Sequence, residues 1–351
     1  MGRAERKALM EQLEQQRGGT KVIAYVTSTR NGAEAQMAMD AVPIIHRHLR
    51  AIQTPVSETK IDLFIHSNGG EGVVPWRLVS LIREFCNEFT VLVPSRAFSA
   101  ATLCALGADE VIMHPMGMLG PIDPTVANPF NPANPHAPGQ LLGISVEDVT
   151  SYIALVRDDV GIRHEDELVK AFLAMADKVH PLALGNVKRS TSQSRMMAEK
   201  LLGSRRKNNL AEHEVSAIIT KLTSELYYHG HPINRKEARD DLKLSFVKDA
   251  NTGVQEAMWK LFEAYESDML LGQTYNPVAE LIAQVNMPAV PSLAQQLTVI
   301  SGRLPALKAV YLESVPACDL MEVELEVAVR RDVTGKMDAA ITMTRQAWAT
   351  E

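Results

Sequence analysis

The stretches IDLFIHSNGGEG, at residues 61–72, and EFTVLVPSRAFSAATLCALGADEVIMH, at residues 88–114, decide the fold. Each begins with a run of β-branched and other apolar residues, which is typical of a buried strand, and continues into a short polar turn. A helix is predicted after each turn, from about Val73 to Asn87 and from Ser99 to Gly107. Strands that alternate with helices at this spacing indicate a parallel α/β sheet with right-handed crossovers.

The rest of the chain extends this pattern. Further strands are predicted at 20–28 and 109–114, and a helix at 33–51 in which Pro43 marks a kink or the true start. The Pro- and Asn-rich segment 124–140 predicts an exposed irregular loop. Later helices are predicted at about 145–160, 164–179, 191–202, 213–227, in the segment HPINRKEARDDL that begins at residue 231, and over 253–287.

Near the C-terminus, residues 307–315 and 320–332 alternate apolar and polar positions. This alternation predicts an antiparallel pair of strands with one solvated face. We therefore divide the chain into an N-terminal helix at 1–19, a main domain at 20–252 and an appended region at 253–351.

Composition narrows the class of protein. The 46% hydrophobic share suffices for a sizeable core, and a net charge of −6 argues against a broad nucleic-acid surface. The three cysteines are scattered, as expected of core residues in a reducing compartment, and no cluster has the spacing of a metal site. The N-terminus lacks the apolar core of a signal peptide, and no run is long enough for a membrane segment, so a cytoplasmic protein is expected.

Ser99 is the candidate nucleophile. It stands at the start of a helix, where unpaired main-chain N–H groups and a partial positive charge favour a developing oxyanion. The loop Ser67–Gly70 can offer further N–H donors, because glycine permits close approach. Alone, such a serine is usually a helix cap and a Gly-Gly pair is usually a turn. Together, about thirty residues apart, they predict an acyl-transfer site.

These motifs, together with HPLALGNVKRSTSQSRMMAEKLL at 180–202 and YYHGHPINRKEARDDLKL at 227–244, resemble the serine dehydrogenase proteinase family of the ClpP/crotonase superfamily. The resemblance covers roughly residues 20–250 and implies a ClpP/crotonase-like α/β fold with surrounding helices. It implies Ser99 as nucleophile and an oxyanion hole from the N–H groups of Gly70 and Ala100, with Gly69 shaping the turn. It also implies a homo-oligomer and no cofactor.

The base that activates Ser99 stays open. In one scheme Asp123 and His229 complete a triad in the order Ser, Asp, His, an order that the resemblance implies. In another, Lys188 is a buried neutral lysine, as in signal peptide peptidases. His114, at a strand end, is a lesser candidate, and in the remaining scheme the site is degenerate.

The sequence therefore predicts a serine peptidase that cleaves peptides or unfolded proteins through an acyl-enzyme on Ser99. Two alternatives come from other classes. One is a crotonase-type acyl-CoA enzyme, which would use a similar N–H pair to hold an enolate. The other is a catalytically inactive ClpP-fold scaffold or binding module, in which residues 253–351 would be the working part.

Overall fold

The computed structural model describes residues 2–126, 128–134, 141–207, 209–226, 230–285 and 297–351. Within these ranges the helices are α1 (Arg3–Gln16), α2 (Ala41–Arg50), α3 (Val74–Arg83), α4 (Ala100–Leu106), α5 (Val146–Ala154), α6 (Glu165–Ala176), α7 (Pro181–Gly203), α8 (Glu212–Thr220), α9 (Arg235–Asp240), α10 (Thr252–Met269) and α11 (Pro277–Val285). Single π-helical turns, Leu155–Asp159 and Lys221–Glu225, continue α5 and α8.

The strands in the same ranges are β1 (Lys21–Thr27), β2 (Lys60–His66), β3 (Glu88–Val93), β4 (Arg96–Ala97), β5 (Glu110–Met113), β6 (Met118–Leu119), β7 (Thr125–Val126), β8 (Ile144–Ser145), β9 (Ile233–Asn234), β10 (Val247–Asp249), β11 (Leu297–Arg303), β12 (Leu307–Ser314), β13 (Ala317–Asp332) and β14 (Met337–Thr350). The main sheet has the order β10-β5-β3-β2-β1-β12-β13-β11, and β14 pairs with β13. Strands β10, β5, β3, β2 and β1 are parallel, so the predicted parallel sheet is confirmed.

Several predicted helices differ in length from those observed. The helix predicted at 33–51 begins only at Ala41, and Pro43 lies in its first turn, where a missing N–H costs nothing. The helix predicted at 191–202 belongs to the longer α7, which begins with Pro181 after the capping residue His180. The predicted loop at 124–140 is described only in part and contains the short strand β7, which pairs with β8; residues 135–140 lie outside the described ranges.

The C-terminal strands extend the main sheet. The predicted antiparallel pair is confirmed as β12 and β13, but the predicted solvated face is wrong for β12. This strand also pairs with β1, and it contacts α2 and α10, so Ala309–Ser314 are buried. The division of the chain at residue 252 stays a prediction.

A buried network of charged and aromatic side chains joins α1, α10 and β12. Arg6 Nε lies 2.7 Å from a carboxylate oxygen of Glu313, and its Nη1 lies 3.1 Å from Asp268. The Tyr265 hydroxyl donates to Glu313 at 2.9 Å. Burial raises the pKa of Glu313 above its usual value, against the opposing attraction of Arg6. The N-terminal helix is thus tied to the C-terminal third of the chain.

All three cysteines are buried free thiols, as expected of core residues. In the described ranges, no helix is both long and apolar enough to span a bilayer.

Candidate active site

Two loops meet where neighbouring parallel strands end. The segment after β2 and the segment after β3 pair through a bridge between Ser67 and Ala97. The Ser67 N–H donates to the Arg96 carbonyl at 3.0 Å, and the Phe98 N–H donates to the Ser67 carbonyl at 3.0 Å. Because parallel strands direct their carboxyl ends to one edge of a sheet, the sequence predicted this neighbourhood.

Ser99 has a strained backbone. Its φ is 51° and its ψ −113°, in a region that residues other than glycine rarely adopt. Although Ser99 stands directly before α4, its hydroxyl makes no capping hydrogen bond within the described chain. The sharp turn instead presents a half-buried side chain to a cavity of about 640 Å³. A strained turn between a strand and a helix exposes the catalytic serine of α/β-hydrolases.

Gly69 fits tightly under Ser99. Its φ is 101°, and a Cβ added there would lie 2.8 Å from the Ser99 Cβ and 2.7 Å from the Phe98 carbonyl oxygen. Contacts this short are not possible between real atoms, so a side chain would push the two loops apart. The approach of the two loops therefore requires glycine at this position.

Gly70 is fixed from its other side by Met37. The Met37 N–H donates to the Gly69 carbonyl at 2.8 Å, and the Glu71 N–H donates to the Met37 carbonyl at 2.9 Å. In a parallel bridge of this kind the intervening residue turns its own N–H away from its partner. The Gly70 N–H is thus turned away from Met37, and Gly70 lines the same cavity as Ser99.

Ala100 supplies a second main-chain N–H beside Ser99. It is the first residue of α4, so its N–H has no acceptor within the helix. Ala100 lines the same cavity, which is bounded on its far side by α7. The complete lining consists of Glu34, Ala35, Gln36, Asn68, Gly69, Gly70, Glu71, Gly72, Val73, Ser99, Ala100, Leu103, Ile122, Pro124, Ser190, Gln193 and Ser194.

The sequence analysis missed the contribution of α7. Ser190, Gln193 and Ser194 follow the i, i+3, i+4 spacing of one helix face, and that spacing was the available signal. The Ser194 hydroxyl donates to the Ile122 carbonyl at 2.6 Å, which joins α7 to the segment just before Asp123.

The candidate bases lie in different places. Lys188 is exposed and lines a separate cavity of about 490 Å³, because it stands two positions before Ser190, roughly 200° around α7. Asp123 is 3% exposed, and both of its neighbours, Ile122 and Pro124, line the Ser99 cavity. His229 lies outside the described residues.

The two strand-end histidines face α10. The ring of His114 stacks on Trp259 with centroids 4.9 Å apart, and its Nδ1 accepts the Met116 N–H at 3.1 Å. His66 is buried, its Nε2 lies 3.0 Å from the Thr29 hydroxyl, and its ring packs on Phe262. Burial, with a smaller contribution from Arg96, lowers the pKa of His66 to about 3. This imidazole is therefore neutral at pH 7.

Among the described residues, no three His, Cys, Asp or Glu side chains are grouped so that they could hold a metal ion. The cavity brings together a serine hydroxyl, two main-chain N–H groups and polar side chains on α7.

The fold and this site together define a ClpP-like α/β protein with a serine at a strained turn between strand and helix. Residues 2–140 match the family model of the ClpP-like SDH-type serine proteinases.

Two relatives come from Methanocaldococcus jannaschii. Uncharacterized protein MJ1495 is 25% identical over 270 residues, which are 76% of this chain and 78% of that protein. Uncharacterized protein MJ0137 is 27% identical over 218 residues, which are 62% of this chain and 63% of that protein. A solved mutant of the 1510-N membrane-bound stomatin-specific protease is 18% identical with a TM-score of 0.26, and the match covers 39% of this chain and 62% of that one.

Proposed function

We propose that the chain is a serine peptidase in which Ser99 Oγ attacks the peptide carbonyl. The observation that carries this proposal is the position of Ser99: strained, without a capping hydrogen bond to α4, and in one cavity with Gly70 and Ala100. The N–H groups of Gly70 and Ala100 stabilise the oxyanion, and Gly69 permits the approach. An acyl-enzyme forms on Ser99 as the amine leaves, and water then hydrolyses it.

For the base, we propose the order Ser99, Asp123, His229. The main chain that carries Asp123 is held by two elements: Ser194 donates to the Ile122 carbonyl, and the Ile122 N–H donates to the Leu222 carbonyl at 2.9 Å. Leu222 stands seven residues before His229 in the sequence. Lys188, in contrast, faces a separate cavity and is exposed, so it lacks the burial that would keep a lysine neutral.

Labelling with fluorophosphonate–biotin and hydrolysis of fluorescein-labelled casein test this proposal. The wild-type protein should react with both probes, and Ser99→Ala should abolish casein hydrolysis and the fluorophosphonate adduct on the peptide that contains residue 99. Ser95→Ala removes a nearby hydroxyl outside the cavity lining and should change neither. His229→Gln and Asp123→Asn should slow labelling at least tenfold, as expected of base and positioning groups, and Lys188→Ala should leave it within twofold.

Other outcomes point to other classes of function. A labelled wild-type protein with no adduct on the peptide that contains Ser99 would contradict the assignment of Ser99 as nucleophile. Binding of CoA without labelling would indicate a crotonase-type enzyme. A folded wild-type protein that reacts with neither probe would indicate a scaffold. Loss of labelling in Lys188→Ala alone would assign the base to that lysine.

The proposal extends to the oligomeric state of the protein, its place in the cell and its substrate. We expect a homo-oligomer, since ClpP-like chains bury helices of one subunit against another, and light scattering measures its size. We also expect a cytoplasmic enzyme that acts on peptides or unfolded proteins.

A further inference from the structure

A second serine, histidine and aspartate come together at the opposite edge of the parallel strands. His48 on α2 contacts Ser314 at the end of β12 and Asp319 on β13. The Nδ1 atom of His48 is 2.6 Å from Ser314 Oγ, and its Nε2 atom is 3.0 Å from Asp319 Oδ2. The three side chains are 6% exposed or less. Neither motif analysis nor the site around Ser99 uses them.

The Asp319 carboxylate next to His48 is fixed by contacts with two other side chains. Its Oδ1 accepts the Thr350 hydroxyl at 2.6 Å and is also paired with Arg47. Its Oδ2 lies 3.0 Å from His48 Nε2. A carboxylate fixed in this way orients an imidazole and stabilises the cation formed when that imidazole takes up a proton.

His48 is suited to accept a proton. Burial lowers the pKa of His48, and the attraction of Asp319 opposes this effect only in part. The imidazole is therefore neutral at pH 7. With its proton on Nε2, facing Asp319, the lone pair of Nδ1 is available to the Ser314 hydroxyl.

The serine and the histidine border a small cavity. Both line a cavity of about 280 Å³ that shares none of its lining residues with the Ser99 cavity. Val22 and Ile23 contribute to its lining, and so does Lys21, whose ammonium lies 3.3 Å from Glu14. Such a cavity holds a small acyl group and is too small for a peptide segment.

We propose that Ser314 is a second nucleophile, with His48 as its base and Asp319 as a positioning residue, acting on small carboxylic esters. Ser314 Oγ bonds to the ester carbonyl carbon as its proton passes to His48 Nδ1. The alcohol leaves with that proton, which completes an acyl-enzyme. A water molecule then attacks the acyl carbon, gives its proton to Nδ1 and releases the acid, and the proton returns to Ser314 Oγ.

The test uses the full-length Ser99→Ala variant and diisopropyl fluorophosphate, with 4-nitrophenyl acetate as substrate. Trypsin releases residues 309–330, in which Ser314 is the only serine, so mass spectrometry identifies the adduct. We expect an adduct on this peptide and measurable ester hydrolysis. Both should disappear in Ser99→Ala/Ser314→Ala and fall at least tenfold in Ser99→Ala/His48→Gln. Adding Ser80→Ala, which removes a shielded hydroxyl from α3, should change neither.

Two substitutions of Asp319 test its role as a positioning residue. Asp319→Asn should slow labelling at Ser314, and Asp319→Glu should restore part of the rate, which a merely structural carboxylate would not do. An unmodified 309–330 peptide in the folded Ser99→Ala variant, or labelling as fast without His48, would overturn the proposal. Because the adduct is located by peptide, these results are independent of whether Ser99 reacts in the wild-type protein.

Discussion

At the scale of single residues, the candidate active site depends on positions where the backbone adopts rare conformations. Ser99 and Gly69 both have positive φ and lie against each other, and only one of them is glycine. Strain of this kind costs about 1–3 kcal/mol and persists only where the surroundings enforce it. Here the bridge between Ser67 and Ala97 holds the two loops together.

Gly69→Ala should therefore damage both fold and site. The added methyl group would meet the Phe98 carbonyl and Ser99 Cβ, and alanine disfavours the φ of 101°. We expect a loss of about 2–3 kcal/mol in the free energy of unfolding. Fluorophosphonate labelling of Ser99 should fall at least tenfold. Urea unfolding and labelling rates measure the two effects.

Gly185→Ala is the matched control for this substitution. Gly185 is exposed on α7, and an added Cβ would meet nothing within 4 Å. This change should stabilise the helix by about 0.5–1 kcal/mol and leave labelling unchanged. Equal behaviour of the two variants would show that the loops do not need glycine at position 69.

At the scale of elements, the local sequence pattern correctly predicted the parallel strands of the core. It did not predict pairings between strands that are far apart in the sequence. The strands β1, β2, β3 and β5 were readable because each is a short apolar run between turn residues. The partner of β12 was not readable, since alternation shows which residues face inward but not which strand lies alongside. β12 pairs with β1, almost three hundred residues earlier, and its faces are covered by α2 and α10.

The candidate site likewise had one part that the sequence predicted and one part that it did not. The neighbourhood of residues 67–72 and 95–100 followed from the sheet rule, because both loops continue adjacent parallel strands. The wall formed by α7 could not be inferred, since the helices between Pro124 and Ser190 set its position. The same long insertion made the spacing from Ser99 to Lys188 uninformative, and the two residues line separate cavities.

The α7 helix contributes to the site through one face only, and Ser194→Ala tests this. The change leaves the Ile122 carbonyl without its hydrogen bond and should cost about 1–3 kcal/mol in the free energy of unfolding. It should also lower kcat/KM on casein, because Ile122 precedes Asp123. Ser192→Ala is the control: this exposed hydroxyl bonds only to the carbonyl of Lys188 in its own helix, at 3.0 Å. We expect the control to stay within about 0.5 kcal/mol, and equal losses would contradict a role for this face.

At the scale of the whole molecule, His66 couples three parts of the fold. It ends β2, contacts Thr29 in the segment after β1, and packs on Phe262 of α10. The C-terminal third of the chain therefore covers a histidine one residue from the loop that approaches Ser99. Because burial keeps this imidazole neutral, any process that protonates it must first open the contact between α10 and the sheet.

This coupling predicts how the stability of the whole fold depends on pH. The pKa of His66 is about 3 in the folded chain and near 6.5 in the unfolded chain, so below pH 6.5 the unfolded state binds one more proton. Its contribution to stability is present above pH 6.5 and is lost as pH falls toward 3, at about 1.4 kcal/mol per pH unit. His66→Gln keeps an amide that can bond to Thr29 and cannot titrate. Between pH 7 and pH 5, the variant's free energy of unfolding in urea should therefore fall less than that of the wild type. Because the other titrating groups are common to both proteins, the difference between the two curves reports His66 alone, and parallel curves would mean that α10 does not shield this ring.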